Sequence, residues 1–165
     1  MNYNQIRKSD ISNGPGVRVS IFFQGCTIRC PGCFNSELWD FKGGKPFIWS
    51  NEGAKLLELL KPDYISGLTI LGGEPLDQNL SELKIFINKI KRHYPNKTIW
   101  IYTGHIWEEL SETQKDAIQS ADVLVDGPFL KELKDSSLKW RGSSNQRIID
   151  IKESLKENKI ILFDE

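Results

Sequence analysis

The run Val17-Arg18-Val19-Ser20-Ile21-Phe22-Phe23-Gln24 leads straight into Gly25-Cys26-Thr27-Ile28-Arg29-Cys30-Pro31-Gly32-Cys33. The first part is short and rich in β-branched and aromatic residues, as a buried strand is. The second part holds all three cysteines of the chain. An odd number of cysteines in so tight a cluster is not a disulfide framework. In a reducing compartment such a cluster points to a metal site.

Outward from this stretch, strands alternate with helices. A helix is expected from Ser50 or Asn51 to about Leu60, stopped by Pro62. Tyr64 to Leu71 reads as a strand that ends in Gly72-Gly73-Glu74-Pro75. Asn79 is a helix N-cap with Glu82 at the third helical position, and Leu80, Leu83, Ile87, Ile90 and Tyr94 follow at helical spacing. Thr98 to Tyr102 is a strand. Ser111 and Gln114 form a capping box for a helix to about Ser120. Asp122 to Val125 is a strand ending at Asp126-Gly127-Pro128, and Gln146 to Ile151 and Lys159 to Phe163 read as two late strands. Repeated βα units predict an α/β fold with a mainly parallel sheet. In such sheets functional groups gather at the carboxyl ends of strands. The cysteine loop, Gly72-Gly73-Glu74-Pro75, Thr103-Gly104 and Asp126-Gly127 should therefore converge on one face. The length of 165 residues fits one domain, 1–165, and is short for a closed eight-stranded barrel, so an incomplete βα barrel or open curved sheet is expected.

Lys plus Arg and Asp plus Glu each total 22, giving no net charge. A broad nucleic-acid footprint needs excess positive charge and is not expected. No apolar run of about 18 residues is present to span a membrane. The N-terminal residues Met1-Asn2-Tyr3-Asn4-Gln5-Ile6-Arg7 lack the apolar core of a signal peptide, which points to the cytoplasm.

The cysteine spacing, Cys26-x3-Cys30-x2-Cys33, suits a cubane iron–sulfur cluster held by thiolates. Three ligands leave one iron without a protein thiolate, open to a substrate. The same residues leave a zinc site as an alternative. Zinc in a structural site wants four ligands, and His105, just after a strand end, is the candidate for the fourth. A zinc-binding interaction module without chemistry is thus the rival from another class. Of the tryptophans, Trp49, Trp100 and Trp107 read as core, and Trp39 as a shield of the cysteine loop from water.

Over nearly its full length the chain resembles the radical S-adenosylmethionine activating enzymes of anaerobic (class III) ribonucleotide reductases. The resemblance is carried by Asn13-Gly14-Pro15-Gly16-Val17-Arg18, Cys30-Pro31-Gly32-Cys33-Phe34-Asn35, Gly72-Gly73-Glu74-Pro75-Leu76, Ile99-Trp100-Ile101-Tyr102-Thr103-Gly104 and Val125-Asp126-Gly127-Pro128-Phe129. Trp140-Arg141-Gly142-Ser143-Ser144-Asn145-Gln146-Arg147 narrows it to this subfamily. The wider superfamily usually places an aromatic just before the third cysteine; here Gly32 stands there and Phe34 follows Cys33.

The resemblance implies a fold of radical S-adenosylmethionine type and a 4Fe–4S cluster on Cys26, Cys30 and Cys33. It implies S-adenosylmethionine as the second cofactor, with Gly32, Cys33, Phe34, Gly72, Gly73, Glu74, Thr103 and Asp126 as candidate binding residues. Glu74 and the Gly72-Gly73 backbone are candidate acceptors for the cofactor's ammonium. Asp126 is a candidate pocket residue or a helix cap. Gly14-Pro15-Gly16 and Arg18 are a candidate rim or a structural turn. Arg141, Ser143, Asn145 and Gln146 are candidate contacts to a partner. The activity implied is one-electron cleavage of S-adenosylmethionine and abstraction of hydrogen from a glycine of the large reductase subunit, leaving a glycyl radical. A low-potential electron donor such as a flavodoxin is implied as a further partner. Rival substrates are another glycyl radical enzyme or a small molecule.

Overall fold

The computed structural model describes residues 1–164. Seven strands form one sheet: β1 (Asn2–Asp10), β2 (Val17–Phe23), β3 (Lys45–Pro46), β4 (Ile65–Gly72), β5 (Thr98–Tyr102), β6 (Val123–Asp126) and β7 (Arg147–Asp150). Their order is β3-β1-β2-β4-β5-β6-β7. The central strands β2, β4, β5 and β6 are parallel. Antiparallel partners close each side, β1 and β3 beside β2 and β7 beside β6. The expected mainly parallel sheet is thus present at the centre, open rather than closed into a barrel, with antiparallel strands added at the edges.

The period-2 alternation of strands divides the sheet into two unlike faces. Val19, Ile21 and Phe23 of β2, Leu68 and Ile70 of β4, Ile99 and Ile101 of β5 and Leu124 of β6 share one apolar cluster. Four helices cover that face: α1 (Ala54–Leu60), α2 (Leu80–His93), α3 (Glu112–Ile118) and α4 (Ile151–Glu157). Leu56, Leu60, Leu83, Phe86, Ile87, Ile90 and Ile118 are their buried contributions. The helix starts follow local chemistry. Asn79 accepts the Glu82 N–H at 3.1 Å, but Glu82 does not reach back, because its Oε2 binds the Met1 ammonium at 2.8 Å. Ser111 and Gln114 form both bonds of the capping box.

The opposite face is polar at its base and aromatic above. Arg18, fully buried, donates to Thr69 Oγ1 at 2.8 Å, Thr98 Oγ1 at 3.0 Å, and the carbonyls of Leu68, Thr98 and Pro15. Burial pushes its guanidinium down to about 10, against the pull of Tyr102, Asp122 and Asp10. The Thr69 hydroxyl passes the chain of bonds to the Asn13 carbonyl at 2.7 Å. Asp10 accepts from Ser12 N, Asn13 N, Asn13 Nδ2 and Ser20 Oγ, so the turn after β1 is fastened across this face. Arg18 is therefore no rim residue: it lies beneath the turn that carries Ser12 and Asn13.

Two further expectations are corrected. Residues Trp49–Gly53 form a wide π turn before α1, not its first turn. Lys159 to Phe163 is not a strand; it meets the sheet only at the Ile149–Leu162 bridge and a few backbone bonds. Among the described residues, no helix is long and apolar enough to cross a membrane.

Candidate functional site

At the carboxyl ends of the parallel strands lies a cavity of about 380 Å³. Cys26, Cys30, Cys33 and Phe34 line it from the loop after β2, and Gly72, Gly73 and Glu74 from the end of β4. Tyr102, Thr103 and Gly104 line it from the end of β5, and Gly127 and Phe129 from the loop after β6. Ser12, Asn13, Trp39, Trp140, Arg141 and Gln146 are also part of the wall.

The turn after β4 is built by close approach. Gly72 has φ +127°, and a Cβ there would fall 2.4 Å from Phe23 N. A Cβ on Gly73 would fall 2.3 Å from the Gly25 carbonyl oxygen. The two glycines thus let the end of β4 press against the start of the cysteine loop. Gly73 N donates to Phe23 O at 2.9 Å and Glu74 N to Gly25 O at 2.7 Å.

Glu74 is 1% exposed and its carboxylate is held by the chain itself. Oε1 accepts from Thr103 Oγ1 at 2.6 Å and Leu76 N at 3.0 Å, and Oε2 from Gly104 N at 2.7 Å. Burial raises the carboxyl to about 7, against the Thr103 hydroxyl and the Gly104 amide. Three donors aimed at two oxygens serve the ionised form.

The cysteine loop carries three free thiols. Burial raises the Cys26 and Cys30 thiols above their ordinary range. Asn35 N donates to Cys33 Sγ at 3.4 Å. Arg29, between the first two cysteines, adopts φ +52° and lies 5.9 Å over the Trp39 ring. Trp39 accepts the Cys26 N–H through its carbonyl at 3.2 Å, which places it beside the loop.

Among the described residues, no group of three or more His, Cys, Asp and Glu side chains is gathered tightly enough for one metal ion. Cys26, Cys30 and Cys33 all line the one cavity, and thiolates are the ligands that a cubane iron–sulfur cluster takes. His105 does not line the cavity; its Nε2 lies 2.8 Å from Asp77 Oδ1. The Asp77 hydrogen bond raises the His105 pKa, against burial.

Most of the residues singled out from sequence meet at this cavity, but not all. Gly32 stands outside the lining, with φ +74° at the turn into Cys33. Asp126 also stands outside it. Its carboxylate accepts from Arg147 Nη2 at 2.6 Å and from Trp107 N at 2.9 Å, capping the short turn Trp107–Glu109 from the neighbouring strand. Arg141 and Gln146 line the cavity, whereas Ser143 is fully buried and accepts from Leu130 N. Gln146 Oε1 accepts from Gly142 N at 2.8 Å and Ser143 N at 3.2 Å, and its Nε2 donates to Gly127 O at 3.1 Å. Asn145 Nδ2 donates to Pro128 O at 2.8 Å. The run from Arg141 to Gln146 is thus a self-bonded loop stapled to the end of β6.

Sequence reasoning assigned no site role to Asn13, Tyr102 or Trp140. Each stands within a run that carries the family resemblance. The Tyr102 hydroxyl donates to the Trp140 carbonyl, and Trp140 adopts φ +61°, a conformation that bulky residues seldom hold.

A family profile described as a 4Fe-4S single cluster domain matches residues 12–149. The anaerobic ribonucleoside-triphosphate reductase-activating protein of Escherichia coli K12 is 41% identical over 149 residues, covering 88% of this chain and 96% of that protein. Its namesake in Haemophilus influenzae is 42% identical over 151 residues, covering 90% and 97%. The namesake in Enterobacteria phage T4 is 40% identical over 149 residues, covering 90% and 93%. Matched over most of its length by these relatives and by the profile, the chain belongs to the family of anaerobic ribonucleoside-triphosphate reductase-activating proteins.

Proposed function

We propose that this chain is a radical S-adenosylmethionine enzyme, one domain over residues 1–165, that generates a glycyl radical on an anaerobic ribonucleotide reductase. The observation that carries the reading is the meeting of Cys26, Cys30 and Cys33 with Gly72-Gly73-Glu74 and Thr103 around one cavity. When bound, a 4Fe–4S cluster and S-adenosylmethionine supply one-electron cleavage of a sulfonium and removal of a glycine α-hydrogen.

The chain's own residues bind, orient and exclude water. The thiolates of Cys26, Cys30 and Cys33 would hold the cluster, and three thiolates would leave one iron free for the cofactor. The Gly72-Gly73 backbone would meet the cofactor's amino acid end, and Glu74 fixes Thr103 and Gly104 beside it. Gly32 lets the loop turn into Cys33, and Phe34, packed 5.1 Å from Phe129, offers an aromatic face at the mouth. Asp126 acts at one remove, holding the end of β6 through Arg147. Trp39, Tyr102 and Trp140 wall the cavity with aromatic surface that limits side reactions with water. The partners are the large reductase subunit and a low-potential donor such as a flavodoxin, in the cytoplasm.

Anaerobic reconstitution with iron and sulfide tests this reading. The loaded protein, reduced and given S-adenosylmethionine, should release methionine and 5′-deoxyadenosine. Zinc uptake with neither iron binding nor cleavage would favour the interaction-module reading instead.

A further inference from the structure

Asp77 does not line the cavity, yet it joins two segments that do. Its Oδ2 accepts from the backbone N–H of Thr27 at 2.9 Å and from the Thr27 hydroxyl at 2.6 Å. Its Oδ1 meets His105 Nε2 at 2.8 Å. Thr27 directly follows Cys26, and His105 directly follows Thr103-Gly104. The Asp77 side chain is 11% exposed, and its bond to His105 is partly shielded from competing water, while Thr27 itself is exposed.

The direction of the side chain matters. Asp77 lies in the short turn Pro75–Asp77, and a carboxylate serving only that turn would bond to its N–H groups. Glu74 already does so, through Leu76 N. Asp77 instead reaches across to the cysteine loop. The next residue, Gln78, buried, donates to the carbonyls of Gln24 and Gly25 at 3.0 and 3.4 Å. Consecutive side chains after Gly72-Gly73-Glu74 thus hold the chain on both sides of Cys26. That cysteine is the buried one of the three, while Cys30 and Cys33 are half-buried.

We infer that Asp77, braced by His105, is a positioning residue that fixes the Cys26 thiolate against the carboxyl edge of the sheet and so sets where a cluster sits relative to Gly72–Glu74. The inference rests on the cluster reading above. Outer partners that orient metal ligands have a known scale: their loss costs about 10–100-fold in metal affinity or activity.

The test uses the full chain, reconstituted anaerobically with iron and sulfide. Asp77→Ala should shorten the half-life of bound iron against excess chelator by about 10–100-fold. It should also shift the g-values of the reduced cluster in electron paramagnetic resonance, which a loss of general stability alone would not do. Thr27→Val keeps the backbone bond and loses the hydroxyl, so it should fall between wild type and Asp77→Ala. His105→Gln keeps a side-chain donor toward Oδ1 and should stay near wild type, whereas His105→Ala should move toward Asp77→Ala. If Asp77→Ala does not fold, Thr27→Val and the His105 pair decide the matter. Wild-type iron retention and an unshifted spectrum in Thr27→Val and His105→Ala would overturn the inference. A wild-type chain that takes up no iron would instead overturn the cluster reading, and this inference with it.

Discussion

The Thr103 hydroxyl donates to the Glu74 carboxylate at 2.6 Å, tying the end of β5 to the end of β4 across the floor of the cavity. Gly104 N adds a second bond to the same group at 2.7 Å. Glu74→Gln places an amide N–H₂ where the site supplies only donors. Hydrogen bonds to a charged group contribute about 1.5–3 kcal/mol, so the variant should unfold more easily by about that amount. Because Glu74 orients Thr103 and Gly104 at the cavity, affinity for S-adenosylmethionine should fall as well. Anaerobic titration of the reconstituted variant, beside its denaturation curve, checks both; unchanged affinity would remove Glu74 from the site.

Gly73 should tolerate no side chain. Its Cβ would meet the Gly25 carbonyl oxygen at 2.3 Å, a backbone atom that cannot swing aside. Gly73→Ala should cost about 1–3 kcal/mol by overpacking and displace the cysteine loop. Urea denaturation reads the first effect, and altered iron content after reconstitution the second.

Asp122 predicts a pH dependence away from the cavity. Burial alone would raise its carboxyl, but bonds from Lys91 at 2.7 Å, Ile99 N at 2.8 Å and Lys152 at 3.0 Å outweigh it and hold the group below its usual range. A carboxylate lowered by folding stabilises the fold above its unfolded pKa, and that contribution fades as pH falls through the folded one. Asp122→Asn should therefore cost about 1–3 kcal/mol at neutral pH and progressively less in acid below the ordinary carboxylate range. Urea midpoints of the two proteins from neutral pH downward should converge; a gap independent of pH would contradict this.

The parts of this fold that were legible in sequence are those where one strong local signal decides. Strand β2 is apolar on its helix side, Asn79 and Ser111 carry cap chemistry, and the cysteines cluster as metal ligands do. Strand β1, Asn-Tyr-Asn-Gln-Ile-Arg-Lys-Ser-Asp, was not legible, because an antiparallel strand with mostly exposed or half-buried residues, flanked on its outer side only by the two-residue β3, shows no apolar run. Helix α4 was hidden by its shortness and by the late strand beside it. At the site, motifs marked the right segments but not the direction of each side chain. Nothing local says that Ser143 turns inward to Leu130 or that Asp126 faces Arg147 rather than the cavity. Those orientations come from tertiary partners distant in sequence.

The cysteines should be separable from the fold. Cys30→Ala and Cys33→Ala remove half-buried thiols with few packing contacts to lose, and each should leave the circular dichroism spectrum unchanged. Each should nonetheless abolish cleavage of S-adenosylmethionine, as should Cys26→Ala. A fully active single variant would sink the cluster assignment.

The central claim is that this chain places a radical on a reductase glycine, and electron paramagnetic resonance tests it most directly. The reconstituted chain, S-adenosylmethionine, a reductant and the large subunit of an anaerobic ribonucleotide reductase are mixed without oxygen and frozen. A glycyl radical doublet should appear, and it should vanish when the reductase glycine is changed to alanine. Normal cleavage of S-adenosylmethionine with no protein radical on the reductase would contradict the account and point to a different substrate.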